Sequence, residues 1–293
     1  VFGQKITGSG MITARKEGGT EVVITGDLSG YTGKFDALSG NTIKLNTTLN
    51  DTVNLSHSGG SAGTVELNGD GSGKTVTVNS TTDTSTALKV FMNWNDVLVQ
   101  ANGNAETKVY GTIFLGSNEG GASVSDLEVR LSAMNLTGGS VGHIYLGGRG
   151  DTINDGDDAD KNAIVLHVDS AYSTIYGAGE NGTVNGDITI NVTDKACGLP
   201  SAFAPNGQIY GGGTGNTING NVNINVNAGE ASVGDIFGAN ASGAIDGDIN
   251  ITLSSGKVRQ LYGLRNGSAS GSSVKNIVIN VEGGSVDDIR GGN

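Results

Sequence analysis

Apolar and polar positions fall into a repeating pattern from about residue 105 onward. One short element keeps returning: IFLG at Ile113, IYLGG at Ile144, IYGAG at Ile175, IYGGG at Ile209, IFGAN at Ile236, LYGLR at Leu261 and IRGGN at Ile289. Successive copies are 31, 31, 34, 27, 25 and 28 residues apart. A second element lies between them and alternates strictly: DLEVRL from Asp126, AIVLHV from Ala163, DITINV from Asp187, NVNINV from Asn221, DINITL from Asp248 and NIVINV from Asn276. A period of two marks a strand with one buried face. Ile188, Ile190 and Val192 are therefore expected to point inward, and Val222, Ile224 and Val226 to do so one repeat later. A shorter piece precedes this strand: TVNG at Thr183, TING at Thr217 and AIDG at Ala244.

A unit of 25–34 residues with three short strands cannot bury its own apolar side chains. Stacked on its neighbours it can, as a continuous column of Ile and Val. The pattern predicts an all-β fold, a right-handed parallel β-helix (β-solenoid) with one repeat per coil. A propeller is the rival, but its repeats are longer, about 40 residues with four strands. The first hundred residues are strand-like and less regular, with EVVITG at Glu21, NTIKLN at Asn41, TVELNG at Thr64 and KTVTVN at Lys74. This divides the chain into residues 1–104 and 105–293, expected to continue one another as a single monomeric rod. The junction falls near residues 87–100, which hold the only tryptophan, Trp94.

The stretch from Gly8 to Leu45 resembles the passenger-associated repeat of bacterial autotransporters. Gly8, Gly10, Val23, Gly26, Tyr31, Thr32, Gly33, Gly40 and Leu45 occupy the matching positions. That resemblance implies a β-helical building block of a secreted or surface-displayed passenger, not itself a catalytic unit. The C-terminal membrane barrel of that family is not among these residues. The IYGGG-type repeats are similar to those of large surface adhesins from gut bacteria. Both resemblances imply an extracellular or bacterial cell-surface location. The opening residues, VFGQK, show no leader pattern, so the sequence reads as a mature segment whose targeting parts lie elsewhere.

Composition sharpens this picture. Glycine accounts for 51 of 293 residues, against a usual share of roughly 7%. Two prolines and no G-X-Y period exclude collagen, and so much glycine disfavours helices. The glycines are expected at corners, supplying backbone with φ > 0. Net charge is 17 − 29 = −12, which disfavours nucleic acid and anionic membrane surfaces. No apolar run reaches the roughly 20 residues of a membrane helix, so direct membrane insertion is not expected. The single cysteine, Cys197, has no partner for an internal disulfide.

Four features could carry chemistry. If the Ile of each IYGGG-type element points inward, alternation sends Phe114, Tyr145, Tyr176, Tyr210, Phe237 and Tyr262 outward, one ring per coil. An exposed row of rings suits sugars or a protein partner; the alternative is a stack that seals a corner. The outward Thr189/Asn191, Asn223/Asn225 and Asn250/Thr252 form either a glycan-binding face or a self-satisfied Asn ladder. The run DTINDGDDAD offers oxygen ligands for calcium from Asp151, Asn154, Asp155, Asp157, Asp158 and Asp160, or is an acidic solvated corner. An insertion at residues 193–208 holds both prolines and Cys197. GDGSGKT at Gly69 has one residue too few for a phosphate loop and runs into a strand. His57, His143 and His167 are scattered, and no catalytic constellation emerges. The functional expectation is a non-enzymatic adhesin or stalk binding glycans or host proteins, without a cofactor unless calcium. A polysaccharide lyase or hydrolase and a purely structural spacer are the alternatives.

Overall fold

The computed structural model describes the chain except residues 17–18, 39, 58–62, 69–73, 81–88, 93–96, 102–110, 116–122, 126, 133–141, 155–161, 170, 195–196, 199–206, 240, 265–273 and 293. The described residues form strands, turns and no helix. Every named strand pairing is parallel, and each joins a strand to its counterpart one repeat away.

Three long ladders result, beside a two-strand pairing of Ala171–Tyr172 with Cys197–Gly198. The aromatic ladder begins at Glu21–Ile24 and continues through Thr42–Leu45, Thr64–Leu67, Lys89–Met92, Gly111–Phe114, Gly142–Tyr145, Thr174–Tyr176 and Gln208–Tyr210. It then takes the C-terminal ends of the long strands Val222–Phe237 and Ile249–Tyr262, and finishes at Ser285–Arg290. The long-strand ladder begins with Met11–Ala14, Lys34–Ala37, Thr52–His57, Lys74–Ser80 and Val97–Ala101. It goes on through Leu127–Ser132, Asn162–Asp169, Asp187–Val192, the N-terminal parts of the same two long strands, and Ile277–Val281. The short ladder contains Ser123–Ser125, Arg149–Asn154, Asn181–Asn185, Thr214–Ile218 and Ser242–Ile245.

The first two ladders cross residue 104 without a break. Lys89–Met92 pairs with Gly111–Phe114, and Val97–Ala101 pairs with Leu127–Ser132. What changes there is the length of the repeat. One register column of the aromatic ladder runs Glu21, Thr42, Thr64, Lys89, Thr112, closely spaced in sequence. It continues through His143, Thr174, Gln208, Asp235, Gln260 and Asp288, where the steps are longer on average. The added residues build the short ladder, whose first strand is Ser123–Ser125. In the shorter N-terminal repeats isolated bridges, Gly8 to Tyr31 and Leu28 to Leu49, hold other parts of neighbouring repeats together.

Strand alternation sends the expected residues inward. Ile188, Ile190, Val192, Val222, Ile224 and Val226 are at most 2% exposed. Ile144, Ile175, Ile209, Ile236 and Leu261 join them at 0%. In register, like side chains stack on like, so one apolar column runs along the molecule.

The expected role of glycine needs correction at its most regular position. Gly177, Gly211, Gly238 and Gly263, each following an aromatic residue, do not have positive φ. Their need is space. A Cβ on Gly211 would lie 2.3 Å from the carbonyl oxygen of Gly238 and 2.4 Å from Val222 Cγ1. The left-handed conformation appears a few residues later, as at Gly182 (φ 115°) and Gly215 (φ 90°), where the short ladder is bulged. Among the residues of the N-terminal resemblance, Gly26 and Gly33 are also space-limited. A Cβ on either would come within 1.9 Å of a backbone oxygen of the preceding repeat.

Candidate functional site: the aromatic column and its polar neighbours

Phe114, Tyr145, Tyr176, Tyr210, Phe237 and Tyr262 are in register on successive strands of the aromatic ladder. Parallel neighbours sit about 4.8 Å apart, so the backbone sets the ring spacing. Centroid separations from Phe114 to Phe237 are 4.8, 4.5, 5.0 and 4.9 Å, with interplanar angles of 9° to 17°. Tyr262 departs from the stack. It meets Phe237 edge-on, at 5.8 Å and 78°.

The rings cluster apart from the Ile/Val core, so alternation assigned their side of the strand correctly. The expected exposure does not occur. Phe114, Tyr145, Tyr210, Phe237 and Tyr262 are 2–7% exposed, and only Tyr176 is half-buried. Two causes act together. Each ring covers the faces of its neighbours, and residues that follow the ring-bearing strands pack against the rings at two places. Arg149 lies 5.3 Å from the Phe114 centroid and pairs with Glu180 at 2.7 Å. Ala241 packs against the cluster of Tyr210, Phe237 and Tyr262. The faces a sugar would stack on are thus already occupied by other rings.

The column is longer than the motif that revealed it. Phe91 is in register with Phe114, and before it come Glu66 and Lys44. Glu66 is buried at 3% exposure, and Lys44 bridges it at 3.5 Å and Glu21 at 3.1 Å. At the other end Arg290 occupies the ring position. Its guanidinium sits 5.0 Å from the Tyr262 centroid and pairs with Asp288 at 3.0 Å. Phe91 escaped the sequence pattern because KVFM has no following glycine, and because the step from Phe91 to Phe114 is shorter than every later one.

Two residues before each ring, on the same face, runs a second column: His143, Thr174, Gln208, Asp235, Gln260 and Asp288. Gln208, Gln260 and Asp288 bond ring hydroxyls, and Asp235 pairs with a nearby cation. Tyr210 Oη donates to Gln208 Oε1 at 3.2 Å, and Tyr262 Oη donates to Asp288 Oδ2 at 2.5 Å. That bond, with Arg290 beside it, holds the Asp288 carboxyl below the ordinary carboxylate pKa. Asp235, 1% exposed, is paired with Arg259. His143 packs edge-on against Tyr176 at 5.6 Å, and burial pulls its pKa down to about 4, so it is neutral at physiological pH. Burial likewise raises the Tyr145 hydroxyl, with Glu180 adding to the shift.

The Asn/Thr face is a hydrogen-bonded ladder. Asn225 Nδ2 donates to Asn191 Oδ1, and Asn250 Nδ2 to Asn223 Oδ1, each at 3.0 Å. A parallel ladder runs along the short strands, where Asn219 donates to Asn185 at 2.8 Å and Asn185 to Asn154 at 3.0 Å. Of the calcium candidates, Asp155, Asp157, Asp158 and Asp160 lie outside the described residues. Asp151 is buried on the Ile153 side of its strand, whereas Asn154 belongs to the amide ladder on the other side, so these two do not converge. Among the described residues no three His, Cys, Asp or Glu side chains are grouped to hold a metal ion. Most of the insertion at 193–208 and Trp94 itself also lie outside the described residues.

The class these observations define is an all-β protein of stacked parallel strands whose outward columns stack or hydrogen-bond along the ladders. No family model matches the chain, and no curated protein or solved structure matches it.

Proposed function

We infer that the chain is a right-handed parallel β-helix that serves as a non-enzymatic scaffold on a bacterial surface, the stalk or passenger region of an exported protein. One observation carries this reading. Two parallel ladders run through the described residues from the N-terminal to the C-terminal repeats, across steps as short as Lys34 to Asn54 and as long as Leu127 to Ile164. Ladders that continue across such variation suit a rod that holds its shape while its corners vary. The resemblance of residues 8–45 to autotransporter passengers points the same way, as does the net charge of −12, which favours solubility over adsorption to nucleic acid.

The ring burial moves any binding surface away from the aromatic faces. Contact with glycans or host proteins belongs to the outward Asn/Thr columns and to corner segments, where many weak contacts add along one axis. Binding of the chain to a panel of glycans and extracellular-matrix proteins tests this. Capture that survives Tyr176→Ala but falls with Asn191→Ala plus Asn225→Ala supports it. Release of reducing or unsaturated sugar ends from any polysaccharide would overturn the non-enzymatic reading.

A further inference from the structure

The inward side chains cannot tell one repeat from the next. Ile188, Val222, Ile249 and Ile277 share one column, and Ile190, Ile224, Ile251 and Ile279 share another. A strand that skipped a repeat and paired with the one beyond would find the same apolar partners. Something else must distinguish neighbours.

The residue that opens each long strand alternates in chemistry. Along the ladder it reads Asn162, Asp187, Asn221, Asp248, Asn276. Each carboxylate sits beside an amide. Asn221 donates to Asp187 twice, from its backbone nitrogen to Oδ1 at 2.7 Å and from Nδ2 to Oδ2 at 3.2 Å. The Asp248 backbone nitrogen donates to Asn221 Oδ1 at 2.9 Å, and Asn276 Nδ2 donates to Asp248 Oδ1 at 2.9 Å. Thr189 Oγ1 donates to Asn162 Oδ1 at 2.8 Å.

We propose that this column is a register lock, which penalises any pairing that skips one repeat. In the native order every carboxylate meets an amide donor. In a skipped order Asp187 meets Asp248, two like charges about 4.8 Å apart with no side-chain donor between them. Even at the dielectric constant of water, repulsion at that distance disfavours the skipped pair about fourfold. An all-amide column would bond equally well in either order and could not discriminate. The alternation, more than hydrogen bonding as such, is the informative feature.

Disulfide trapping tests the lock. In a Cys197→Ser background, Thr189→Cys and Asn250→Cys place thiols two strands apart, about 9.6 Å in the native register. That exceeds the roughly 7 Å that a disulfide tolerates, whereas the skipped register makes the two positions direct neighbours. The chain is refolded from denaturant in an oxidising thiol buffer, and the cross-linked fraction is read by mass spectrometry. With Asp187→Asn plus Asp248→Asn the fraction is expected to rise about fourfold over the native column. Asp248→Asn alone, which leaves no like-charged pair in the skipped order, is expected to act in the same direction. Equal cross-linking in all three, including none in any, overturns the proposal. If the cross-link rises while the folded chain is oxidised without prior unfolding, the native register itself is wrong, and the lock falls with it.

Discussion

Replacing Tyr210 with alanine separates a structural column from a docking surface. Tyr210 is 2% exposed and stacked on both faces, 5.0 Å from Tyr176 and 4.9 Å from Phe237. Truncating a buried aromatic side chain costs about 3–5 kcal/mol, and each aromatic pair adds roughly 0.5–1.5 kcal/mol beyond its area. An exposed ring used only for docking would cost within about 0.5 kcal/mol. The expected loss for Tyr210→Ala is therefore about 4 kcal/mol, well above the docking figure. Tyr210→Phe keeps the stack and removes the 3.2 Å bond to Gln208, so it should cost far less than Tyr210→Ala, about 1 kcal/mol. Urea unfolding followed by far-ultraviolet circular dichroism measures both. Stacked repeats can unfold in segments, so amide exchange at Ile209 and Ile236 should accompany it. A Tyr210→Ala chain as stable as the parent, with unchanged exchange at those amides, would refute the burial argument.

The glycine column gives a sharper contrast. Gly211→Ala drives a methyl group to 2.3 Å from a backbone oxygen and should destabilise by about 2 kcal/mol or more, whereas Gly10→Ala, with nothing within 4 Å, should change stability by less than about 0.5 kcal/mol; equal melting temperatures would discount close approach as the reason for glycine. His143 should make stability depend on pH. Its folded pKa of about 4 lies below its ordinary value near 6.5, so its contribution is full above pH 6.5 and is lost as pH falls toward 4. Denaturant midpoints measured from pH 7 to pH 4 should fall further for the parent than for His143→Phe, and parallel curves would contradict this.

Much of the fold was legible because the strands alternate so strictly. DITINV and NVNINV announce both their period and their inward face, and the recurring IYGGG element fixes the repeat without reference to structure. The N-terminal ladders were harder to read. Their shorter repeats carry no such element, and Lys44 and Glu66 occupy the column that rings fill later. The candidate site was half legible. Alternation tells which side of a strand a ring takes, but not whether the chain folds back over that side, as it does where Arg149 and Ala241 meet the rings. Glycine misled for a related reason. Its frequency suggested unusual φ, while Gly177 and Gly211 are needed because backbones of adjacent repeats nearly touch. The Asp/Asn alternation was visible in the letters, yet its meaning depends on knowing that those residues are neighbours.

The central claim is that strands from the N-terminal and C-terminal repeats stack in the same parallel ladder. Thr42 and Gln260 share a column of that ladder, eight steps apart through Thr64, Lys89, Thr112, His143, Thr174, Gln208 and Asp235. Spin labels on Thr42→Cys and Gln260→Cys, in a Cys197→Ser background, report their separation by pulsed electron resonance. Eight steps of about 4.8 Å predict a single narrow distribution centred about 38 Å. A distribution centred well below about 30 Å, or one with several maxima, would contradict the stacking of these strands in one ladder.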